Sequence, residues 1–591
     1  MRPDRRPCSP LIPPFSRAGP RPRGLLVALA LGTLLLPCCS RRSAVPPADL
    51  ILHGGRVLTL DDARPEASAV AVRGGSIAAV GGDAEILALG GPATRRIDLA
   101  GRLVLPGFID AHGHLRSLGE QLAALDLRGA PSVEEIARRV RERAAGAPGE
   151  RWIAGIGWDE NQWPGRRLPD HRPLTEAVPD RPVWLLRIDW HTGWANRAAL
   201  AAAGVSRATP DPEGGRIVRD ERGEPTGLLV GSALDLMARA RGTPSRDDIK
   251  QSLRLGLRRC AEVGLTEVHD AADDPEEVAA FRELADSGEL PIRVYLMWKA
   301  YEGRQADPLL EQPPFVNYRD RLTLRTVKLL IDGTMGSRGA AFFEDYTDDP
   351  GNRGFISTPP EEIRRVTELA LRKGYQVATH GIGDRGIALI TEAYEQALAA
   401  VPATDPRLRL EHLQCVRRED LPRLARMGVI ASMQPVHAVD ELDWSEKRVG
   451  AERGGGLYAL RWVLDAGMKI AGGSDFPVAD ESPLVGIHAA VTGQDRAGRP
   501  PGGWHPEQRM TLEEALRAYT TSAAYAAFEE QNKGRVVSGL WADLTVLERD
   551  ITRLPPADIP QAGIAMTIVG GTVVHETPAV RSAPASGPDS R

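Results

Sequence analysis

Cysteine is scarce in this chain, with five in 591 residues. Cys8, Cys38 and Cys39 stand ahead of the first strand-like run, so a disulfide framework is excluded. Cys260 and Cys415 read as buried thiols serving as small hydrophobes. A charge excess is missing as well: the formal net charge is -5, with both signs mixed along the chain. That excludes a basic face for nucleic acid or a polyanionic partner. The glycines at Gly472 and Gly473 are not followed by the Gly-Lys-[Ser/Thr] of a phosphate-binding loop, so they read as turn chemistry at a strand end. No solenoid-type repeat and no extended low-complexity segment occurs. What remains is an ordinary globular composition in a chain too long for one small core, pointing to two or more domains and a small-molecule substrate.

From Asp49 the pattern is short alternating runs broken by glycine pairs, as in Leu50-Ile-Leu-His-Gly-Gly and Ser76-Ile-Ala-Ala-Val-Gly-Gly. Such runs predict strands and tight turns. A matching pattern returns in Gly534-Arg-Val-Val-Ser-Gly-Leu-Trp and Met566-Thr-Ile-Val-Gly-Gly, so half-sheets from both ends should form one small β-sandwich. Between them strand candidates alternate with helical segments, the rhythm of a parallel sheet. Eight are expected, ending near His112, His269, Trp298, Asp332, His380, His412, Pro435 and Asp475. Eight parallel strands make a TIM (β/α)8 barrel, which carries its functional groups at the C-terminal strand ends.

The expected organisation is a leader and tether over 1–48, the first part of the sandwich over 49–106 and the barrel over 107–530. A large insertion follows the first barrel strand at about 117–252. The second part of the sandwich covers 531–577, and a disordered tail 578–591.

Six residues capable of binding metal sit at or near those strand ends: His112, His114, Lys328, His380, His412 and Asp475. Side chains alternate faces along a strand, so the two histidines of His112-Gly113-His114 point the same way and can grip one ion. Imidazoles and a carboxylate suit zinc and its neighbours. Taken alone, His-x-His also occurs on solvated strand faces, and Lys328 could be an ordinary salt-bridged lysine.

The segments Leu105-Pro-Gly-Phe-Ile-Asp-Ala-His-Gly-His114, Gly157-Trp-Asp-Glu-Asn-Gln-Trp163, Val327-Lys-Leu-Leu-Ile-Asp-Gly-Thr-Met-Gly-Ser-Arg338, His380-Gly-Ile-Gly-Asp384 and Gly473-Ser-Asp-Phe-Pro477 resemble the amidohydrolase superfamily. Within it they are similar to the type 3 group, which includes the YtcJ-like proteins and N-substituted formamide deformylases. The resemblance implies one or two divalent metals, zinc first, with manganese or iron as alternatives. His112 and His114 would hold the first, His380 and His412 the second. Lys328, carboxylated on its amine, would bridge them, and Asp475 would serve the first metal and the nucleophilic water. An ammonium repels a metal, whereas its carbamate is an anion with two ligand oxygens.

The implied reaction is hydrolysis of a carbon-nitrogen bond other than a peptide bond, in an amide, formamide or cyclic amide, through a metal-activated hydroxide with Asp475 as catalytic proton carrier. Alternatives on the same fold are a non-catalytic exported binding lipoprotein and a metal-dependent esterase. Substrate contacts are sought at Glu160, Trp158, Trp163, His191 and Arg338. The structural alternatives are packing inside the insertion for the tryptophans and His191, and a surface salt bridge for Arg338. His269 and Asp270 could support a ligand from behind. His53, His171, His437, His488, His505 and His575 receive no role.

Arg21-Pro-Arg23, the apolar run Leu25 to Leu36 and Cys38-Cys39 read as an export signal. The run is roughly a dozen residues, short of the roughly 20 of a membrane span. It resembles a bacterial lipoprotein leader; a cleaved secretory signal and an uncleaved anchor are the rivals. The expected location is the bacterial cell envelope, with membrane contact only through the leader or its lipid. Nucleic acid is not an expected partner, and a homo-oligomer stays open.

Overall fold

The computed structural model describes residues 46–148, 151–160, 163–187, 192–212, 215–301 and 305–578. The expected leader falls almost wholly outside these, as do His191 and the tail beyond Pro578. No helix among the described residues is long and apolar enough to cross a membrane.

Eight parallel strands form the barrel: β1 (Phe108–Gly113), β2 (Leu265–Asp273), β3 (Arg293–Lys299), β4 (Leu322–Leu330), β5 (Gln376–Gly381), β6 (Arg409–His412), β7 (Ile430–Met433) and β8 (Ile470–Gly472). Parallel pairing runs from Val268 beside Asp110, through Lys299 beside Lys328 and Leu330 beside His380, to Met433 beside Gly472, with register shifts where β2 meets β1 and β3 and where β3 meets β4. Just past β8 the ring closes on β1. Asp475 N donates to His112 O at 2.7 Å, and His114 N donates to Phe476 O at 2.9 Å. Every residue of β1, β5 and β6 is buried, as strands covered on both faces must be.

Helices cover the barrel. Arg246–Glu262 starts on a capping box in which Ser245 and Asp248 satisfy each other's backbone N–H groups, and Asp274 and Glu277 do the same for Pro275–Asp286; each satisfies two otherwise orphan donors. Helix Leu115–Ala123, directly after β1, presses on Arg246–Glu262 so closely that a Cβ on Gly119 would lie 1.8 Å from Ser252 O. Leu115, Leu118, Ile249, Leu253 and Leu257 all bury in the barrel core. The excursion between β1 and β2 is therefore narrower than 117–252, because residues at both ends of that span belong to barrel helices. What projects is a six-stranded sheet from Leu125–Asp126 to Pro225–Gly231, with two cores of its own.

The sandwich joins the two ends of the chain within one sheet: Leu544 to Leu547 pair antiparallel with Leu103 to Pro106. The facing four-stranded sheet contributes Leu50, Leu52, Val70, Val72 and Ile77 to a core shared with Leu544, Val546, Met566 and Ile568. Arg293, at the start of β3, forks onto the Asp543 carboxylate at 2.6 and 3.1 Å, both buried. This bidentate pair ties barrel to sandwich.

Candidate metal centre

The closure of β8 on β1 builds the site. Asp475 Oδ1 lies 3.0 Å from His114 Nε2 and 3.6 Å from His112 Nε2. Lys328 Nζ on β4 lies 3.4 Å from His112 Nε2. The His412 ring at the end of β6 is 4.8 Å from that of His112 and 4.6 Å from that of His380, centroid to centroid. Two sets of ligand atoms converge within 4.8 Å, and both include Asp475: His112 with His114, and His412 with His437. His380 belongs to neither set; its Nε2 is buried without a hydrogen bond, 3.6 Å from Asp332 Oδ1.

The glycines beside the ligands are steric requirements. A Cβ on Gly473 would sit 2.7 Å from His112 N and 2.9 Å from Asp110 Oδ1, and one on Gly113 would meet the Phe476 ring at 2.4 Å. His412 and Asp475 occupy the left-handed region, with φ of 71° and 59°. Non-glycine residues hold that conformation only where the surroundings over-determine it, commonly at functional sites.

Partners behind the ligands fix their orientation. His112 Nδ1 meets Glu411 Oε2 at 2.5 Å, and Arg409 Nε donates to Glu411 Oε1 at 2.7 Å. Arg409 also donates to Ala111 O and Ser432 Oγ and faces His269 Nδ1 at 3.0 Å. His412 Nδ1 meets Gln434 Oε1 at 2.8 Å. A carboxylate or amide oxygen accepts, so the proton sits on Nδ1 of both rings and the Nε2 lone pairs face the site. Asp110 accepts from Ser474 Oγ at 2.6 Å and from the backbone N–H of His112 and Ser474. Asp332 accepts from the N–H groups of Ala341, Ile382 and Gly383.

Burial, joined by the Lys328 charge, pushes His112 down to about 4 and His380 to about 3. Both imidazoles are neutral at pH 7, as ligands must be. Burial also brings the Lys328 amine down to about 8, with Glu411 and Asp475 pulling it back up. For Asp475 burial pushes upward, but the His114 hydrogen bond, helped by electrostatic attraction to the surrounding imidazoles, outweighs it and holds the carboxyl well below its ordinary range.

The outlying candidates fare differently. Trp163 is a core residue of the insertion, not a pocket wall: its ring stacks on Trp158 at 5.9 Å and its Nε1 donates to Ala130 O. Trp158 is fully buried beside it. Glu160 is engaged by Arg187, at 2.8 Å and 3.1 Å. Arg338 donates to both oxygens of Asp348, at 3.2 and 2.8 Å. Asp270 accepts from Leu115 N at 2.9 Å, one residue past His114. It also lines a cavity of about 480 Å³ with His114, Asp273, Glu277 and Lys299. Sequence reasoning missed Glu411 and Gln434, and gave no role to His437. Gln434-Pro435-Val436-His437 follows β7 directly, so the strand-end rule already pointed there.

The donors present fit a divalent metal: imidazole nitrogens and a carboxylate oxygen, buried together, with His380 Nε2 lacking a hydrogen-bond partner among the described residues. A protein from Arabidopsis thaliana, LONG AFTER FAR-RED 3, is 35% identical over 93% of this chain and 97% of its own length. The N-substituted formamide deformylase of Arthrobacter pascens is 28% identical over 89% of this chain and 98% of its own. The crystal structure of an uncharacterized metal-dependent hydrolase from Pyrococcus furiosus superposes with a TM-score of 0.71 at 28% identity, over 85% of this chain and 99% of that one. The model of the Amidohydrolase family matches residues 95–575, and with the barrel, the sandwich and the histidine–aspartate centre in place, this chain belongs to that family.

Proposed function

We propose that this protein is a metal-dependent hydrolase of carbon-nitrogen bonds other than peptide bonds, acting on a small amide, formamide or cyclic amide. The observation that carries the reading is the convergence of His112, His114 and Asp475 on one point at the barrel's C-terminal end. The similarity to an N-substituted formamide deformylase supports the choice of bond. His112, His114, His380 and His412 would hold one or two divalent ions, and Lys328, as its carbamate, would bridge two. When bound, such an ion lowers the pKa of a water from about 15.7 to about 7 and polarises a carbonyl oxygen.

The chain's own residues then move the proton. Asp475 is ionised at neutral pH, so its carboxylate takes the proton of the attacking water and delivers it to the departing nitrogen. Glu411 and Gln434 keep the His112 and His412 rings aimed inward while this happens. We also propose that residues 1–48 direct export, with the mature chain beginning near Cys38 or Cys39; mass spectrometry of the mature N-terminus tests this, and an intact Met1 on cytoplasmic protein refutes it.

The test of function is a panel of N-substituted formamides, N-acyl amino acids, ureas, cyclic imides and esters, run on protein whose zinc, manganese and iron have been measured. Turnover of an amide-type member that falls by about 10² to 10⁴ in Asp475→Asn, with metal retained, is expected. Activity on esters alone, or protein that binds no metal, overturns the reading.

A further inference from the structure

We propose that His437 is a catalytic residue whose Nε2–H donates to the substrate's acyl oxygen as that oxygen gains negative charge. The inference rests on the carbon-nitrogen hydrolase reading above. His437 leaves the end of β7 in the short helix Pro435–Asp440. Its residue is 8% exposed, and Nε2 is buried with no hydrogen-bond partner. Buried polar atoms in folded proteins are nearly always paired, so one left unpaired inside a reaction site points to a partner that arrives with the ligand. Ring atoms of His437 and His412 and the carboxylate of Asp475 lie within 4.8 Å of one another. The ring therefore stands beside the group that carries the proton.

A side-chain acceptor at Nδ1 separates His112 and His412 from this imidazole. Gln434 takes the Nδ1 of His412 and Glu411 that of His112, which leaves each Nε2 as a lone pair. That arrangement marks a metal ligand. His437 has no such acceptor among the described residues, so its Nε2 is able to carry the proton and donate. In the reaction the water oxygen bonds to the acyl carbon, the water proton passes to Asp475, the carbon-nitrogen bond breaks, and the nitrogen leaves with that proton. His437 keeps its own proton throughout and only stabilises the charge on the acyl oxygen, the task of an oxyanion donor.

The experiment compares metal-replete wild type, His437→Ala and His437→Gln by three readouts. These are kcat and KM on the best amide-type member of the panel, bound metal by elemental analysis, and affinity for benzylphosphonate, a tetrahedral anion, by calorimetry. His437→Ala should lose about 10² to 10³ in kcat with little change in KM. It should keep its metal and bind the phosphonate at least about 10-fold more weakly; His437→Gln, which restores an N–H near Nε2, should recover part of both. Unchanged kcat in His437→Ala overturns the proposal, as does loss of metal, which would make His437 a ligand, or phosphonate binding that is equal in both proteins or absent from both. A wild type inert on every carbon-nitrogen member, yet binding phosphonate through His437, overturns the hydrolase reading and leaves the donor role standing.

Discussion

Replacing Glu411 with glutamine separates the strength of the fold from the strength of the metal grip. Glu411 is fully buried between His112 Nδ1 at 2.5 Å and Arg409 Nε at 2.7 Å, and Arg409 is fully buried too. Glutamine keeps the shape and one acceptor oxygen but removes the charge. Two costs follow. Arg409 becomes a buried cation without its carboxylate, a loss of about 3–5 kcal/mol; its bonds to Ala111 O and Ser432 Oγ persist and place the cost near the lower end. His112 also loses the carboxylate that fixes its ring, which weakens metal binding by about 10- to 100-fold, or about 1.4–2.7 kcal/mol. Urea unfolding of chelator-treated protein reads the first cost, and competition with a chromophoric chelator reads the second. Adding Arg409→Met should return most of the folding stability, since a buried pair replaced by apolar groups is often neutral. It should leave metal affinity low. Wild-type metal affinity in Glu411→Gln, or recovery of affinity together with stability in the double variant, would refute the idea that Glu411 acts on the metal through His112.

Three further outcomes are expected. Carbon dioxide adds only to a neutral amine, and the Lys328 amine titrates near 8; zinc uptake by metal-free protein in bicarbonate should slow as pH falls through that value and level off above it, while Lys328→Gln shows no bicarbonate effect, and a wild-type rate flat between about pH 6 and about pH 9 would sink the carbamate. Trp163→Ala should destabilise by about 3–5 kcal/mol in chemical denaturation, whereas Trp163→Phe should leave KM unchanged, because the ring packs inside the insertion; a raised KM in the phenylalanine variant would restore a substrate role. Arg338→Ala should leave stability almost unchanged, its pair with Asp348 being partly exposed, and a large rise in KM would show that the fork reaches substrate.

The barrel was legible because its strands are covered on both faces and therefore read as short apolar runs ending in polar residues, as at Phe108 to His114 and Gln376 to His380. Expected ends fall within four residues of the observed ones; the widest gap is at β2, expected to end near His269 and running to Asp273. The insertion's limits were less legible. Helix Leu115–Ala123 and helix Arg246–Glu262 carry the apolar stripe of any amphipathic helix, and only packing reveals that the stripe faces the barrel. Trp163 and Arg338 illustrate the same point: residue type suggested a pocket, but the partner that each meets, Ala130 O or Asp348, is chosen by chain geometry that no local pattern records.

The polar interior beneath the metal site shows where a local pattern did exist and went unused. Glu267 and His269 on β2, and Arg409 and Glu411 on β6, are spaced by two, so each pair shares one strand face. In the fold these are inward faces, and the residues join into one buried column. Lys533 pairs with Glu267 and Glu529, Glu267 Oε1 meets His269 Nε2 at 3.1 Å, His269 Nδ1 meets Arg409, and Arg409 meets Glu411, which holds His112. Charged residues at period two inside otherwise apolar strands are costly unless they satisfy one another, so their presence in two strands of one barrel already implied a partnered interior. The column also gives a reason for the order of the chain. Lys533 lies just before the segment that returns to the sandwich, so the setting of His112 depends on contacts made more than 400 residues later in sequence.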